Sequence, residues 1–233
     1  MTRLPDSSLD RRKTMFALVS MPLVLGGCSL IERTPGRGGD EEDEAEVTPG
    51  EDLMQEHGLL ERILLVYEAV ARRIESKEDF DRGIVGNAAG IVRTFVEDYH
   101  ERNEEQHVFP RLLAAKREVE LVTTLLKQHA QGRVLTDEIS RLAAGPTSGD
   151  PELLLRLSSF VRMYRPHAAR EDTVLFPAFR RVVHTAEYLE LGRRFEEDEH
   201  AKLGAEGFEG AVDAVARLER ALGVDALDAF STS

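Results

Sequence analysis

His167-Ala-Ala-Arg-Glu171-Asp172-Thr-Val-Leu175-Phe176-Pro177 decides the reading of this chain, because its pattern occurs twice. The earlier copy is His100-Glu-Arg-Asn-Glu104-Glu105-Gln-His-Val108-Phe109-Pro110. In both copies Glu stands four residues after His, and an acid, an aliphatic residue, Phe and Pro follow at matching offsets. Residues four apart on a helix lie one above the other on the same face. Each copy therefore sets an imidazole beside a carboxylate. Two such helices brought together offer two His and two Glu at one place, a donor set that suits a pair of iron or manganese ions.

Around this pattern the chain reads as all-helical. It has 233 residues, 42% of them hydrophobic and 31% charged, enough for one globular domain with extensions. Runs of Leu, Ala, Val, Glu and Arg dominate, and period-two alternation is scarce. Helix one is expected over about Glu51 to Glu75, with Leu53, His57, Leu60 and Leu64 on one face. Helix two starts after Asp79 or Gly83 and carries Phe95, Val96, His100, Glu104 and Val108 inward. Pro110 is expected to break or kink it, leaving Phe109 to cap the end of the core.

Helix three is expected over about Glu118 to Ala144, with a stripe of Val122, Leu125, His129, Thr136 and Ile139. Gly145-Pro146 stops it. Gly132, one turn past His129, leaves room either for a small ligand or for close helix packing. Helix four is expected to open on Asp150 as N-cap, with Pro151 in the first turn, and to present Phe160, Met163, His167, Glu171 and Leu175. Pro166 is expected to kink it at the site. Two further helices, about 186–202 and 207–222, pack across the bundle or close one end.

Each of the four main helices thus turns one His toward its apolar stripe. A buried polar group without a partner costs roughly 1–3 kcal/mol. Four imidazoles and two carboxylates make a poor core unless something binds them all, and a metal pair does so.

The order His57, His100-x-x-x-Glu104, His129, His167-x-x-x-Glu171, with Phe-Pro closing helices two and four, resembles the hemerythrin-like (HHE cation-binding) domain over about residues 51–182. The resemblance implies an up-down-up-down four-helix bundle around a non-haem centre of two iron ions. It implies Glu104 and Glu171 as bridges and His57, His100, His129 and His167 as terminal ligands. Oxygen-carrying members of that family have a second His four residues after the one on helix three; here that position is Arg133. Glu101, His200 and His107, in that order, are the candidates for an additional ligand. Tyr99, Tyr164 and Arg165 are close enough in sequence to hydrogen-bond around the ligands.

The net charge of −13 disfavours nucleic acid as a partner. Arg11-Arg12-Lys13, the apolar run Phe16 to Leu25 and Leu25-Gly26-Gly27-Cys28 resemble a lipoprotein signal ending in a bacterial lipobox. The sole Cys of the chain, Cys28, sits where lipidation needs it, and the paired arginines hint at the twin-arginine export route. Residues 1–27 are then a signal peptide and 28–50 an acidic tether with a mean reach of about 25 Å. Residues 51–182 form the bundle and 183–233 a C-terminal helical extension packing on it. The protein is expected to be exported and lipid-anchored to the bacterial membrane, facing the periplasm or the cell exterior.

Three functions compete. The first is binding or sensing of O2, NO or peroxide at a carboxylate-bridged iron pair. The second is an enzyme degrading peroxide at the same centre, and the third a metal-free or zinc-containing scaffold for a partner. Nitrogen-rich coordination favours iron over magnesium or calcium, while manganese and zinc fit by ligand type. A ferritin-like site built on Glu97-x-x-His100, Glu104-x-x-His107 and Glu197-x-x-His200 is a weaker variant, since it ignores His57, His129 and His167.

Overall fold

The computed structural model describes residues 47–231, so the expected signal segment, Cys28 and most of the acidic tether lie outside the described residues. Among the described residues the regular structure is all-helical. Helix α1 is Pro49–Ser76. The Thr48 hydroxyl accepts from the Glu51 N–H at 3.4 Å, and the Glu51 carboxylate accepts from the Thr48 N–H at 3.0 Å. This reciprocal cap, with Pro49 in the first turn, starts the helix ahead of Glu51, inside the stretch expected to be tether.

Helix α2 follows one helical path over residues 82–114. Its α-helical pieces Arg82–Ile91, Glu101–Asn103 and Phe109–Ala114 are joined by π-helical turns at Val92–His100 and Glu104–Val108. Helix α3 is Val119–Ala143. Helix α4 covers residues 150–182, as Asp150–Arg170, a π turn at Glu171–Leu175, and Phe176–Val182.

Neither proline breaks its helix. Pro110 does not end α2, which runs on to Ala114. Pro166 lies inside the α-helical stretch Asp150–Arg170, and the departure from α geometry falls later, at Glu171–Leu175. In both copies of the repeated pattern, the N–H of Phe reaches the carbonyl of the Glu five residues back, Phe109 to Glu104 and Phe176 to Glu171. The following Pro has no N–H and its ring crowds the carbonyl one turn before it. A wider turn gives the ring room without ending the helix. Asp150 is not the cap of α4 either: Gly149 holds that place, and the Asp150 carboxylate pairs with Arg82.

The four helices form a ring in which α1 touches α2 and α4, and α3 touches α2 and α4. Neighbours run antiparallel. Arg82 at the start of α2 donates to the carbonyls of Leu142 and Ala143 at the end of α3. Arg156 of α4 pairs with Glu138 of α3, and Arg165 of α4 with Glu61 and Glu68 of α1. The result is an up-down-up-down bundle. Helices α5 (Thr185–Leu203) and α6 (Gly207–Leu222) lie on the face made by α1 and α2, where Arg62 pairs with Glu219 and Phe95 meets Phe208.

The apolar interior is in two parts. One includes Leu60, Leu64, Tyr67, Val85, Phe95, Leu157 and Phe160; the other Leu53, Val108, Phe109, Leu125, Leu175, Phe176 and Phe179. Each such residue contributes roughly 1.5–3 kcal/mol by leaving water. Leu53 and Leu60 flank His57, and Leu125 and Leu135 flank His129, in opposite parts. The core is therefore divided by a polar layer. No helix among the described residues is long and apolar enough to cross a membrane.

Candidate metal centre

The dividing layer holds His57, His100, His129 and His167, one from each bundle helix, with Glu104 and Glu171 between them, all at most 4% exposed. Helical spacing put each His on an apolar stripe, and packing of the four stripes brings them together. The Nε2 atoms of His57 and His100 are 3.1 Å apart. On the other side the rings of His129 and His167 lie 5.0 Å apart between centroids.

The two carboxylates sit between these pairs. Glu104 turns Oε1 toward His100 Nε2 at 3.7 Å and Oε2 toward His129 Nε2 at 3.5 Å. Glu171 places Oε2 3.3 Å from His57 Nε2 and 3.0 Å from His167 Nε2, with Oε1 4.0 Å from His129 Nε2. Two ligand groups face inward, His57 with His100 and Glu104, and His129 with His167 and Glu171; a third, Glu101 and Glu105 with His129, lies on the outward nitrogen of that ring. Glu104 and Glu171 each reach both inward groups.

Every imidazole is oriented from behind. His57 Nδ1 lies 2.7 Å from Asp172, His100 Nδ1 2.7 Å from Glu56, His129 Nδ1 3.0 Å from Glu105 and His167 Nδ1 3.0 Å from Gln128. Each acceptor comes from a different helix than its imidazole. A proton on Nδ1 leaves Nε2 as the lone-pair donor, so all four rings present a ligand atom inward. Phe176 stacks on His57 at 5.6 Å and Phe109 on His129 at 5.4 Å, which shuts water out on that side.

The α1–α2 pair thus repeats as the α3–α4 pair. His57 corresponds to His129, His100 to His167, Glu104 to Glu171, Glu105 to Asp172, Phe109 to Phe176, and Glu56 to Gln128.

The protonation pattern follows from crowding. Burial lowers the His57 pKa, but hydrogen bonds to Asp172 and Glu171 and their charges outweigh it and lift the group to about 9. His100 is held well below its ordinary range by burial and by the His57 charge. Burial and the Glu171 charge push Glu104 well up. For Glu171 burial also works upward, but the charge and hydrogen bond of His167, with those of His57, hold it below the usual carboxylate range. Like charges this close cannot all persist.

The residues fit a pair of metal ions. Both oxygens of Glu104, Oε1 of Glu171 and His129 Nε2 are buried without a hydrogen-bond partner in the protein, and Glu171 Oε2 is met by the Nε2 atoms of His57 and His167, which donate only by carrying a second proton. Each unpartnered atom costs roughly 1–3 kcal/mol. Cations bound between the His pairs would satisfy all four at once.

A second polar group adjoins the centre. The Tyr164 hydroxyl donates to Glu101 Oε1 at 2.7 Å, and Arg133 donates to Glu101 Oε2 at 2.8 Å and to Glu105 at 2.7 Å. Burial drives the Glu101 pKa up to about 8, against the Tyr164 hydrogen bond and the Arg133 charge. Glu101 comes within 4.0 Å only of the outward nitrogen of His129, and both its oxygens are already engaged. His107 lies against Phe195 with Asp198 3.9 Å away, and His200 is exposed on α5. The structure brings none of these three to the inward nitrogens. Tyr99 donates to Glu56, whereas Arg165 pairs with Glu61 and Glu68 on α1 and does not approach the ligands. A Cβ at position 132 would lie 1.9 Å from the Tyr164 hydroxyl, so the space beside Gly132 holds Tyr164 rather than an outside ligand.

The four acceptors behind the imidazoles are absent from the sequence reading. A faint signal existed for two of them: the acid after each Glu in the repeated pattern is Glu105 or Asp172.

The Hemerythrin HHE cation binding domain family matches residues 48–179. Uncharacterised proteins of Mycobacterium bovis and Mycobacterium tuberculosis are 37% identical over 242 residues, covering 100% of this chain and 95% of the relative. No solved structure gives a significant match. With the His and Glu groups described above, the chain is a metal-binding helical protein, and it belongs to the hemerythrin HHE cation-binding family.

Proposed function

We propose that the chain holds two iron ions between its His pairs and binds or senses O2, NO or peroxide there, tethered outside the cytoplasm by a lipid on Cys28. One observation carries this reading: Glu104 and Glu171 each lie between both His pairs, with both oxygens of Glu104 and Oε1 of Glu171 lacking a hydrogen-bond donor. Nitrogen-rich donors with shared carboxylates favour iron, with manganese and zinc as the competitors. When bound, such a pair supplies redox-active Lewis-acid positions for a small ligand.

The chain's own residues do the rest. Asp172, Glu56, Glu105 and Gln128 hold each Nδ1–H, and so fix which nitrogen faces inward. Phe109 and Phe176 keep the layer dry, which strengthens every charge interaction inside it. A metal-free scaffold would leave four buried atoms unsatisfied, and that weighs against the metal-free form of the third reading.

Peroxide breakdown at the same place is a second reading. Glu101, held by Tyr164 and Arg133 and near neutrality in pKa, gives the centre an adjacent acid. Metal analysis of the purified full chain tests the first proposal. Close to two irons per chain supports it; zinc alone, or no metal, overturns it. Oxygen release on mixing with peroxide, above that of free iron, would favour the second reading.

A further inference from the structure

The internal repeat is broken at one position that matters to a metal. Three of the four imidazoles lean on carboxylates; His167 leans on the Gln128 amide, where its counterpart His100 has Glu56. The His129–His167 half is weaker on its other ligand too. Glu105 Oε1, which takes His129 Nδ1 at 3.0 Å, also takes Arg133 at 2.7 Å, so a full positive charge competes for the same oxygen. In the His57–His100 half, Glu56 gives Oε2 to His100 and its other oxygen to the neutral Tyr99 hydroxyl. Asp172 gives His57 its Oδ1 at 2.7 Å.

We infer that the two halves take up metal unequally, the His57–His100 half first and tightly, the His129–His167 half second and weakly, with Gln128 as the positioning residue that sets the difference. This rests on the two-metal reading proposed above. A carboxylate behind an imidazole makes its far nitrogen a stronger donor, and replacing such a partner typically changes metal affinity about 10–100-fold. A neutral amide orients the ring equally well but adds no negative charge. Both ligands of one half therefore face carboxylates, whereas in the other half one faces an amide and the other a carboxylate that also takes Arg133. The bridging carboxylates are shared, so they do not distinguish the halves.

The test is a titration of the full chain, stripped by chelation and checked for helicity, with cobalt(II) followed by its visible absorption. The expected result is two cobalt ions per chain in two steps whose dissociation constants differ about 10–100-fold. His57→Ala should remove the tight step and His167→Ala the weak one. Gln128→Glu, at a half-buried position, should strengthen the second step about tenfold or more and leave the first in place. Glu56→Gln should weaken the first step. Two ions bound with equal affinity, or a Gln128→Glu effect confined to the first step, overturns the inference. Fewer than two ions overturns the two-metal reading itself, a failure visible in the stoichiometry before any ordering is considered.

Discussion

His129 and Arg133, one turn apart on α3, end on the same atom: Glu105 Oε1 lies 3.0 Å from His129 Nδ1 and 2.7 Å from the Arg133 guanidinium. Arg133 also reaches Glu101 at 2.8 Å. Arg133 is thus a clamp on two acids beside the centre. Arg133→Leu removes two charge-assisted hydrogen bonds from a partly exposed position. The expected loss is about 1–3 kcal/mol of stability, read by urea unfolding. An unchanged midpoint would mean the clamp is idle in solution.

Glu104 and Glu171 each serve both His pairs, so neither can be lost from one side only. Glu104→Ala and Glu171→Ala are each expected to abolish retention of both ions, a larger effect than the 10–100-fold typical of a residue behind a ligand. Glu101→Ala, whose oxygens face Tyr164 and Arg133, should keep near-full loading and change reactivity toward peroxide instead. Metal content after gel filtration decides it; full iron in Glu171→Ala would refute the bridging assignment.

The sequence disclosed the helices and the six inward residues for one reason: both depend on spacing within a helix. His57 among Leu53, Leu60 and Leu64 is visible as a stripe, and His100 with Glu104 as a pair one turn apart. The partners behind them are invisible to the same logic. Asp172 serves a ring on α1, Glu56 one on α2, Glu105 one on α3 and Gln128 one on α4, and each contact crosses between helices. The break allowed for at Pro110 is absent for a related reason. Local rules say that Pro110 ends a helix, but burial of Phe109 and Leu112 keeps the chain on its path, and a π turn absorbs the missing bond.

Gly132 lies where the Tyr164 ring passes closest to α3. A methyl group there would meet the hydroxyl at 1.9 Å and Cζ at 2.8 Å. Gly132→Ala should therefore expel Tyr164 from Glu101 and cost about 1–3 kcal/mol, despite the better helix propensity of Ala. Tyr164→Phe in the same chain removes the worst contact but not the second. The double variant should be more stable than the sum of the two single losses predicts, by about 0.5 kcal/mol or more. Strict additivity would show that the two positions do not meet.

The metal-free chain should lose stability as pH rises from about 6.5 to about 9, and metal should remove most of that dependence. His57 is lifted from 6.5 to about 9, outweighing burial, by Asp172 and Glu171. Its contribution is full below pH 6.5 and is lost as pH rises through 9, because the unfolded chain gives up that proton first. Glu101, raised by burial from 4.5 to about 8, acts in the same sense, its contribution fading as pH rises through 8. Glu104, pushed up by burial and by Glu171, follows the same sign. His100 and His129, lowered chiefly by burial, change stability only at lower pH. Thermal melts of the chelated chain across this range should show a falling midpoint. With metal bound in place of the protons on His57 and Glu104, the midpoint should stay nearly level, leaving only the Glu101 part of the slope. A midpoint that rose with pH in the chelated chain would mean that these protons are not held where the hydrogen bonds place them.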